Sequence, residues 1–69
     1  MKIRFKDEKA SQEFSKRDHS NRQHNHNLVK RYGMNPFDVY VVDSWWDTLD
    51  GEFTIHIEYE SHYFIIVEE

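Results

Sequence analysis

The stretch EFTIHIEY, residues 52–59, alternates apolar and polar side chains without interruption. Successive side chains of a β-strand point to opposite faces, so its apolar members would share one face and its polar members the other. The stretch therefore predicts a strand over residues 52–59 that belongs to a sheet with one buried and one solvated face.

Further strands are predicted on both sides of this stretch. Residues 37–46 are rich in β-branched and aromatic side chains, and LDG at residues 49–51 is a turn signal whose glycine accepts a positive φ. A tight turn near residues 60–61 would lead into a last strand over residues 62–67. These segments predict three antiparallel strands connected as a meander.

The first half of the chain predicts one strand followed by helix. Residues 2–6 alternate as a short strand, and Asp7 can cap a helix that runs to about Arg17. A second helical stretch begins near residue 21 or 24 and ends at Tyr32, because Gly33 is a favourable residue just beyond a helix end.

The connection between the two helical stretches is the least specified segment. Residues 18–27 contain no apolar side chain and many residues that favour turns. They fit a loop between two helices, with Ser20 and Gln23 as a capping box for the second helix, or the solvated middle of one long helix. Two helices, or one broken helix, is the expected arrangement.

These segments predict a small α+β fold with one domain over residues 1–69. The expected architecture is a four-stranded, mainly antiparallel sheet with one or two helices on one face, in the order β-α(α)-β-β-β. A chain of this length buries only roughly 60% of its unfolded surface, and the absence of cysteine excludes disulfides and thiolate zinc sites. Aromatic packing or homodimerisation is therefore expected to supply stability.

Charge is divided between the two halves of the chain. The β-α part, residues 1–33, has nine basic and four acidic residues, a net charge of +5. The meander, residues 34–69, has nine acidic residues and no Lys or Arg, a net charge of −9, so the whole chain carries −4. Because a soluble surface normally mixes both signs, the acidic half indicates a surface that meets a basic partner.

Carboxylates on the polar face of the meander form the candidate site. Side chains on one strand face repeat every two residues, roughly 6.6 Å, which is close to two phosphate steps of roughly 3.4 Å along a nucleic-acid strand. Such a row can imitate phosphates; alternatively, these are ordinary solvating charges on an open sheet. The expected partner-binding residues are Asp43, Trp45, Trp46, Asp47, Asp50, Glu52, Glu58 and Glu60.

Trp45 and Trp46 belong to this candidate site because a regular strand turns only one of two neighbours toward the core. The other indole would face solvent or a partner, where Trp often contributes much of the binding energy. A bulge or a helix that covers the second ring is the alternative.

The basic half provides an alternative function, direct nucleic-acid binding or regulation through the N-terminal helices. Asn, Gln and His side chains that can bond bases or phosphates lie among its cations. The acidic half would repel DNA, which makes this the second interpretation. Its candidate residues are Lys16, Arg17, Arg22, Lys30 and Arg31.

No pattern predicts catalysis. Gly33 and Gly51 are the only glycines, so a glycine-rich phosphate loop is absent. Ser61 and His62 are adjacent in sequence and would point to opposite faces of a strand. The five histidines, without cysteine, match no metal-site spacing. We therefore expect no enzyme, no cofactor and no metal ion.

The protein itself is expected to be cytoplasmic, and its partner is expected to be a basic host protein that handles nucleic acid. The beginning of the chain lacks a secretory apolar stretch, and the longest apolar run, residues 63–67, is too short to span a bilayer. A cytoplasmic location without membrane contact is expected. The sequence thus predicts a small DNA-mimic inhibitor, of the kind that phages and mobile elements use for host takeover, which competes for a basic nucleic-acid-binding surface of a host protein.

Overall fold

A computed structural model describes residues 1–18 and 23–69. It is a small α+β domain with three helices and a five-stranded antiparallel sheet in the spatial order β4-β3-β2-β1-β5. The elements are β1 (Lys2–Phe5), α1 (Glu8–Ser15), α2 (His24–Tyr32), β2 (Phe37–Val42), β3 (Trp45–Thr48), β4 (Thr54–His56), α3 (Ile57–Glu60), a 3₁₀ turn (Ser61–Tyr63) and β5 (Phe64–Glu68). The predicted fold class is confirmed, whereas the strand count and order differ.

The segment predicted as one strand over residues 37–46 contains a hairpin. The chain turns at Asp43 and Ser44, so that Val42 pairs with Trp45 and Val41 with Trp46. Asp43 adopts a φ of 54°, a left-handed conformation that Asp tolerates better than most residues. The turn divides the segment into β2 and β3 and accounts for the fifth strand.

The strand predicted over residues 52–59 is limited to β4. After His56 the chain forms the short helix α3, and the carboxylate of Glu60 accepts a hydrogen bond from the His56 backbone N–H at 2.8 Å. Glu60 is buried, although the alternation placed it on the solvated face. Its contacts with the helices, described below, replace continued pairing along the sheet edge.

The last strand does not continue the meander. β5 crosses to the other edge of the sheet and pairs with β1, which places Phe64 opposite Phe5. The two rings stack with centroids 4.4 Å apart, and Phe14 of α1 meets both edge-on. This aromatic contact buries Phe64 at the centre of the core, a position that a fourth meander strand would not occupy.

The helices follow the sequence-based prediction closely. Asp7 caps α1 by accepting the Ala10 N–H at 2.7 Å, and α1 ends at Ser15, before the expected end at Arg17. Gly33 follows α2 with a φ of 57°. The two helical stretches predicted in the first half are confirmed as α1 and α2, which pack against each other, whereas α3 was not predicted. Ser20, half of the predicted capping box, lies outside the described residues.

The two helices cover one face of the sheet. The core contains side chains from every strand and from both helices; it consists of Ile3, Phe5, Phe14, Leu28, Phe37, Val39, Trp46, Phe53, Ile55 and Phe64. The opposite face of the sheet, which we call the open face, carries the outward-pointing strand residues, among them the exposed Tyr40, Val42 and Trp45. Within the described ranges, no helix has the length and apolar character needed to cross a membrane.

Candidate interaction surface

Trp45 and Trp46 point to opposite faces of β3. Trp46 is 6% exposed and packs in the core, whereas Trp45 is 41% exposed on the open face. Successive side chains of β3 therefore alternate between the two faces of the sheet, which places one indole at the surface. The sequence alone did not say which ring this would be.

Trp45 belongs to a cluster that we call the aromatic patch: Tyr40, Val42, Trp45, His56 and Tyr59. Val42 is directly opposite Trp45 in the β2–β3 pair, and His56 is directly opposite it in the β3–β4 pair. Tyr40 lies two residues before Val42, on the same face. Tyr40, Val42, Trp45 and Tyr59 are all exposed.

His56 holds the patch together through its ring. The Trp45 indole meets it edge-on with centroids 4.6 Å apart, and the Tyr59 ring lies against it at 4.7 Å. Its Nδ1 is buried and has no hydrogen-bond partner among the described residues. The ring is therefore positioned by packing, and it limits the rotation of the two exposed aromatic side chains beside it.

Three carboxylates border the aromatic patch, and we call them the acidic rim: Asp43, Asp47 and Glu58. Asp43 lies in the β2–β3 turn, and Asp47 lies opposite Tyr40 in the register. Glu58 is exposed on α3. None of the three forms an ion pair with a described Lys or Arg, so their charge is available to an approaching partner.

Asp50 and Glu52, two other predicted partner-binding residues, are bound within the chain by Arg31 of α2. Arg31 Nη2 lies 3.0 Å from Asp50 Oδ2, and Arg31 Nη1 lies 2.6 Å from Glu52 Oε2. The Thr48 hydroxyl and the Glu52 N–H also donate to Asp50 Oδ1, at 2.6 and 3.0 Å. These hydrogen bonds, the Thr48 bond foremost, lower the pKa of Asp50. Asp50 thus organises the β3–β4 turn.

Glu60 lies within the fold, where it joins α3 to both longer helices. Its Oε2 accepts from Arg17 Nε at 3.1 Å and from the Asn25 side chain at 3.3 Å. Asn25 is itself buried and also donates to the Phe14 carbonyl at 2.9 Å. Asn25 lies three residues before Leu28, on the same helix face. A polar residue at this position of the apolar face was the sequence signal that Asn25 is buried and needs a hydrogen-bond partner.

The predicted row of Glu52, Glu58 and Glu60 along one strand is not formed. Glu52 precedes β4, Glu58 is on α3 and Glu60 is buried. The separation of basic and acidic residues along the sequence does not become a separation in space, because the two kinds of residue meet on the sheet. β1 lies between β2 and β5, which places Lys2 opposite both Asp38 and Glu68.

The basic candidates are scattered over the helices. Arg17 and Arg31 are engaged with the carboxylates named above, and Arg22 lies outside the described residues. Lys16 and Lys30 are exposed. Lys16 follows α1 and Lys30 is in the last turn of α2, so the four described candidates are divided between the ends of two helices.

A polar connection, which sequence reasoning missed, links α2 to the edge of the sheet. His24 Nε2 accepts the Thr54 N–H at 3.1 Å, so His24 Nδ1 carries the proton and donates to Asn25 Oδ1 at 2.7 Å. His24 thereby occupies a backbone donor of β4. In the part of the chain that the structure describes, no group of three metal-ligating side chains comes together.

Comparison with protein-family models, with curated proteins and with solved structures finds no match to this chain.

Proposed function

We propose that this chain is a protein-binding module that docks its aromatic patch and acidic rim on a basic nucleic-acid-binding surface of a host protein and inhibits that protein by competition. The observation that carries the proposal is Trp45, an exposed indole that packs edge-on against His56, whose ring also contacts Tyr59, on the open face of the sheet. Exposed aromatic clusters rimmed by polar residues are typical of interaction sites.

The packing of both rings against His56 favours binding, because the two side chains have little conformational freedom left to lose. Ordering a free side chain at an interface costs about 0.5–1.5 kcal/mol. Trp45 and Tyr59 are already held against His56 before a partner arrives. Much of that cost is therefore met during folding.

The acidic rim supports a basic partner. Asp43, Asp47 and Glu58 surround the patch without a described intramolecular counter-charge. An arginine-rich surface would pair with these carboxylates and stack on the exposed rings. Nucleic-acid-binding grooves have this chemistry, and a protein that covers one blocks its usual ligand.

Direct nucleic-acid binding by the basic helices is the competing function. Two of its five candidate residues, Arg17 and Arg31, already neutralise carboxylates of this chain. No observation favours it over the aromatic patch, and the experiment below separates the two.

The test is affinity capture on the immobilised chain, followed by titration of the captured protein. We expect a basic nucleic-acid-binding protein that excess duplex DNA displaces. Trp45→Ala should weaken its binding by at least about 2 kcal/mol, or about thirtyfold. Removing the rim charges with D43N, D47N and E58Q should slow association and reduce its salt dependence.

The control is Leu49→Ala, which removes an apolar side chain outside the patch that is even more exposed than Trp45. This variant should bind as the unaltered chain does. A partner whose binding is insensitive to Trp45→Ala contradicts the proposal. So does a gel shift in which the purified chain binds DNA directly with a steep salt dependence.

A further inference from the structure

The sheet has two edges, and the fold protects them unequally. At the β4 edge, the strand is only three residues long, α3 follows it at once, and His24 occupies the Thr54 N–H. At the β5 edge, the described residues place no element beside the strand. Short strands and covered donors prevent unwanted pairing, so β5 is the edge left available.

The free edge of β5 is apolar. Ile65, Ile66 and Val67 are 39%, 49% and 48% exposed, three consecutive aliphatic side chains at the surface. They lie on the far side of β1 from the aromatic patch, which β2, β3, β4 and α3 carry. The two surfaces are therefore separate.

The phase of the β1–β5 ladder determines which backbone groups are free. The Lys6 N–H donates to the Tyr63 carbonyl at 3.0 Å, and bonded pairs alternate with unbonded pairs in an antiparallel ladder. Ile65, which is opposite Arg4, therefore bonds to β1, whereas the N–H and C=O of Ile66 point away from it. The Phe64 N–H is used by the Ser61 carbonyl, so Ile66 supplies the free donor.

We propose that β5 pairs antiparallel with β5 of a second copy, with Ile66 of each copy opposite Ile66 of the other, to form a homodimer with one continuous sheet. The segment is self-complementary, because the pairing places aliphatic side chains of the two copies beside each other on both faces. Around a two-fold axis, both subunits contribute the same residues of β5 to the interface.

Charge selects the antiparallel direction. Glu68 lies at one end of β5, and Lys6 and His62 lie at the other end, beside Tyr63. Asp7, next to Lys6, already uses its carboxylate to cap α1. Antiparallel pairing brings Glu68 of each copy toward the basic end of the other. Parallel pairing would place the two Glu68 side chains together.

The pairing surface is short, because a register shift occurs between Ile66 and Glu68. We therefore expect a dimer that forms reversibly with concentration, as small interfaces do. The proposal is independent of the proposed function, since no residue of the aromatic patch takes part.

Sedimentation of the chain over a concentration series tests the pairing. The unaltered protein should shift from 8.5 kDa toward twice this mass as concentration rises. Ile65→Glu should weaken self-association at least about tenfold, since it places like charges near the two-fold axis, while inside each copy the new carboxylate lies opposite Arg4. Val41→Glu adds the same charge at an exposed site on β2 and should dimerise normally.

Ile66→Pro examines the backbone directly. It removes the outward N–H and none of the bonds to β1, so the monomer should retain its circular dichroism and lose dimerisation. Amide exchange gives a second readout, because only the dimer should protect the Ile66 N–H. The proposal is overturned if the unaltered protein sediments as a monomer at every concentration up to about 1 mM. It is also overturned if Ile65→Glu and Ile66→Pro both still dimerise.

Discussion

The Nε of Arg17 lies 3.1 Å from Oε2 of Glu60, a residue 43 positions further along the chain. The same carboxylate accepts from Asn25 and from the His56 N–H. One side chain thus connects Arg17, which follows α1, with the first turn of α2 and the last residue of β4. These contacts stabilise α3, the helix through which the chain leaves the sheet after His56.

Replacing Glu60 should destabilise the fold more than its position on a predicted surface face implied. Glu60→Ala leaves the buried Asn25 amide and the His56 N–H short of acceptors, which should lower the free energy of unfolding by about 2–3 kcal/mol. Glu60→Gln keeps an acceptor oxygen and should lose less. Urea unfolding measures both variants. Glu58→Ala, on the exposed side of α3, should change the stability by no more than about 0.5 kcal/mol.

Asp50 should make the stability of the domain depend on acid pH. Its pKa is lowered mainly by the Thr48 hydroxyl and the Glu52 N–H, with Arg31 contributing. A lowered pKa in the folded state stabilises the fold above the ordinary pKa of the carboxyl group, and this contribution is lost as the pH falls through the lowered value. Asp50→Asn should therefore flatten the acid part of a stability-against-pH curve measured by urea unfolding. An unchanged slope in the variant would show that these contacts are not maintained in solution.

Asp18 should stabilise α2 although it is not the residue that precedes the helix. Its two carboxylate oxygens accept the N–H groups of Asn25 and His26 at 2.7 and 2.8 Å. Gln23, at the usual capping position, makes no side-chain cap. Asp18→Ala should cost about 1 kcal/mol, measured by thermal unfolding, with Asp18→Asn intermediate. Equal stability of Asp18→Ala and the unaltered chain would contradict this role.

Trp45 and Trp46 should be distinguishable by fluorescence and by stability. In Trp46→Phe the remaining indole, Trp45, should emit at longer wavelength and be quenched by iodide, whereas in Trp45→Phe the remaining indole should be shielded. Trp46→Ala should cost about 3–5 kcal/mol because it empties a core site, and Trp45→Ala less than about 1 kcal/mol. Equal quenching of the two indoles would refute the assignment of faces.

Local patterns predicted much of the fold. The strand at residues 2–6, the Asp7 cap, the end of α2 before Gly33 and the opposite orientation of Trp45 and Trp46 all appear in the structure. Each depends on backbone preferences or side-chain periodicity within a few residues, and such short-range terms can be read from one sequence.

The candidate site was predicted only in part. The sequence directed attention to the acidic half and to the Trp pair, and the structure brings Trp45, Asp43, Asp47 and Glu58 to one region. It separates Glu52 and Glu60 from them. Tyr40 and Tyr59 of the aromatic patch were not predicted. Tyr59 was missed because the alternation over residues 52–59 placed it on the inward face of a strand.

By itself, the sequence determined the α+β class, the start of α1 after Asp7, the end of α2 before Gly33 and the excess of negative charge in the second half. Only the tertiary structure decided that β5 pairs with β1, that Glu60 turns inward and that Arg31 neutralises Asp50 and Glu52. The physical reason is the range of the interactions. Strand order and ion pairs join residues far apart in the chain, and the free energies of competing arrangements differ by terms that no local pattern encodes.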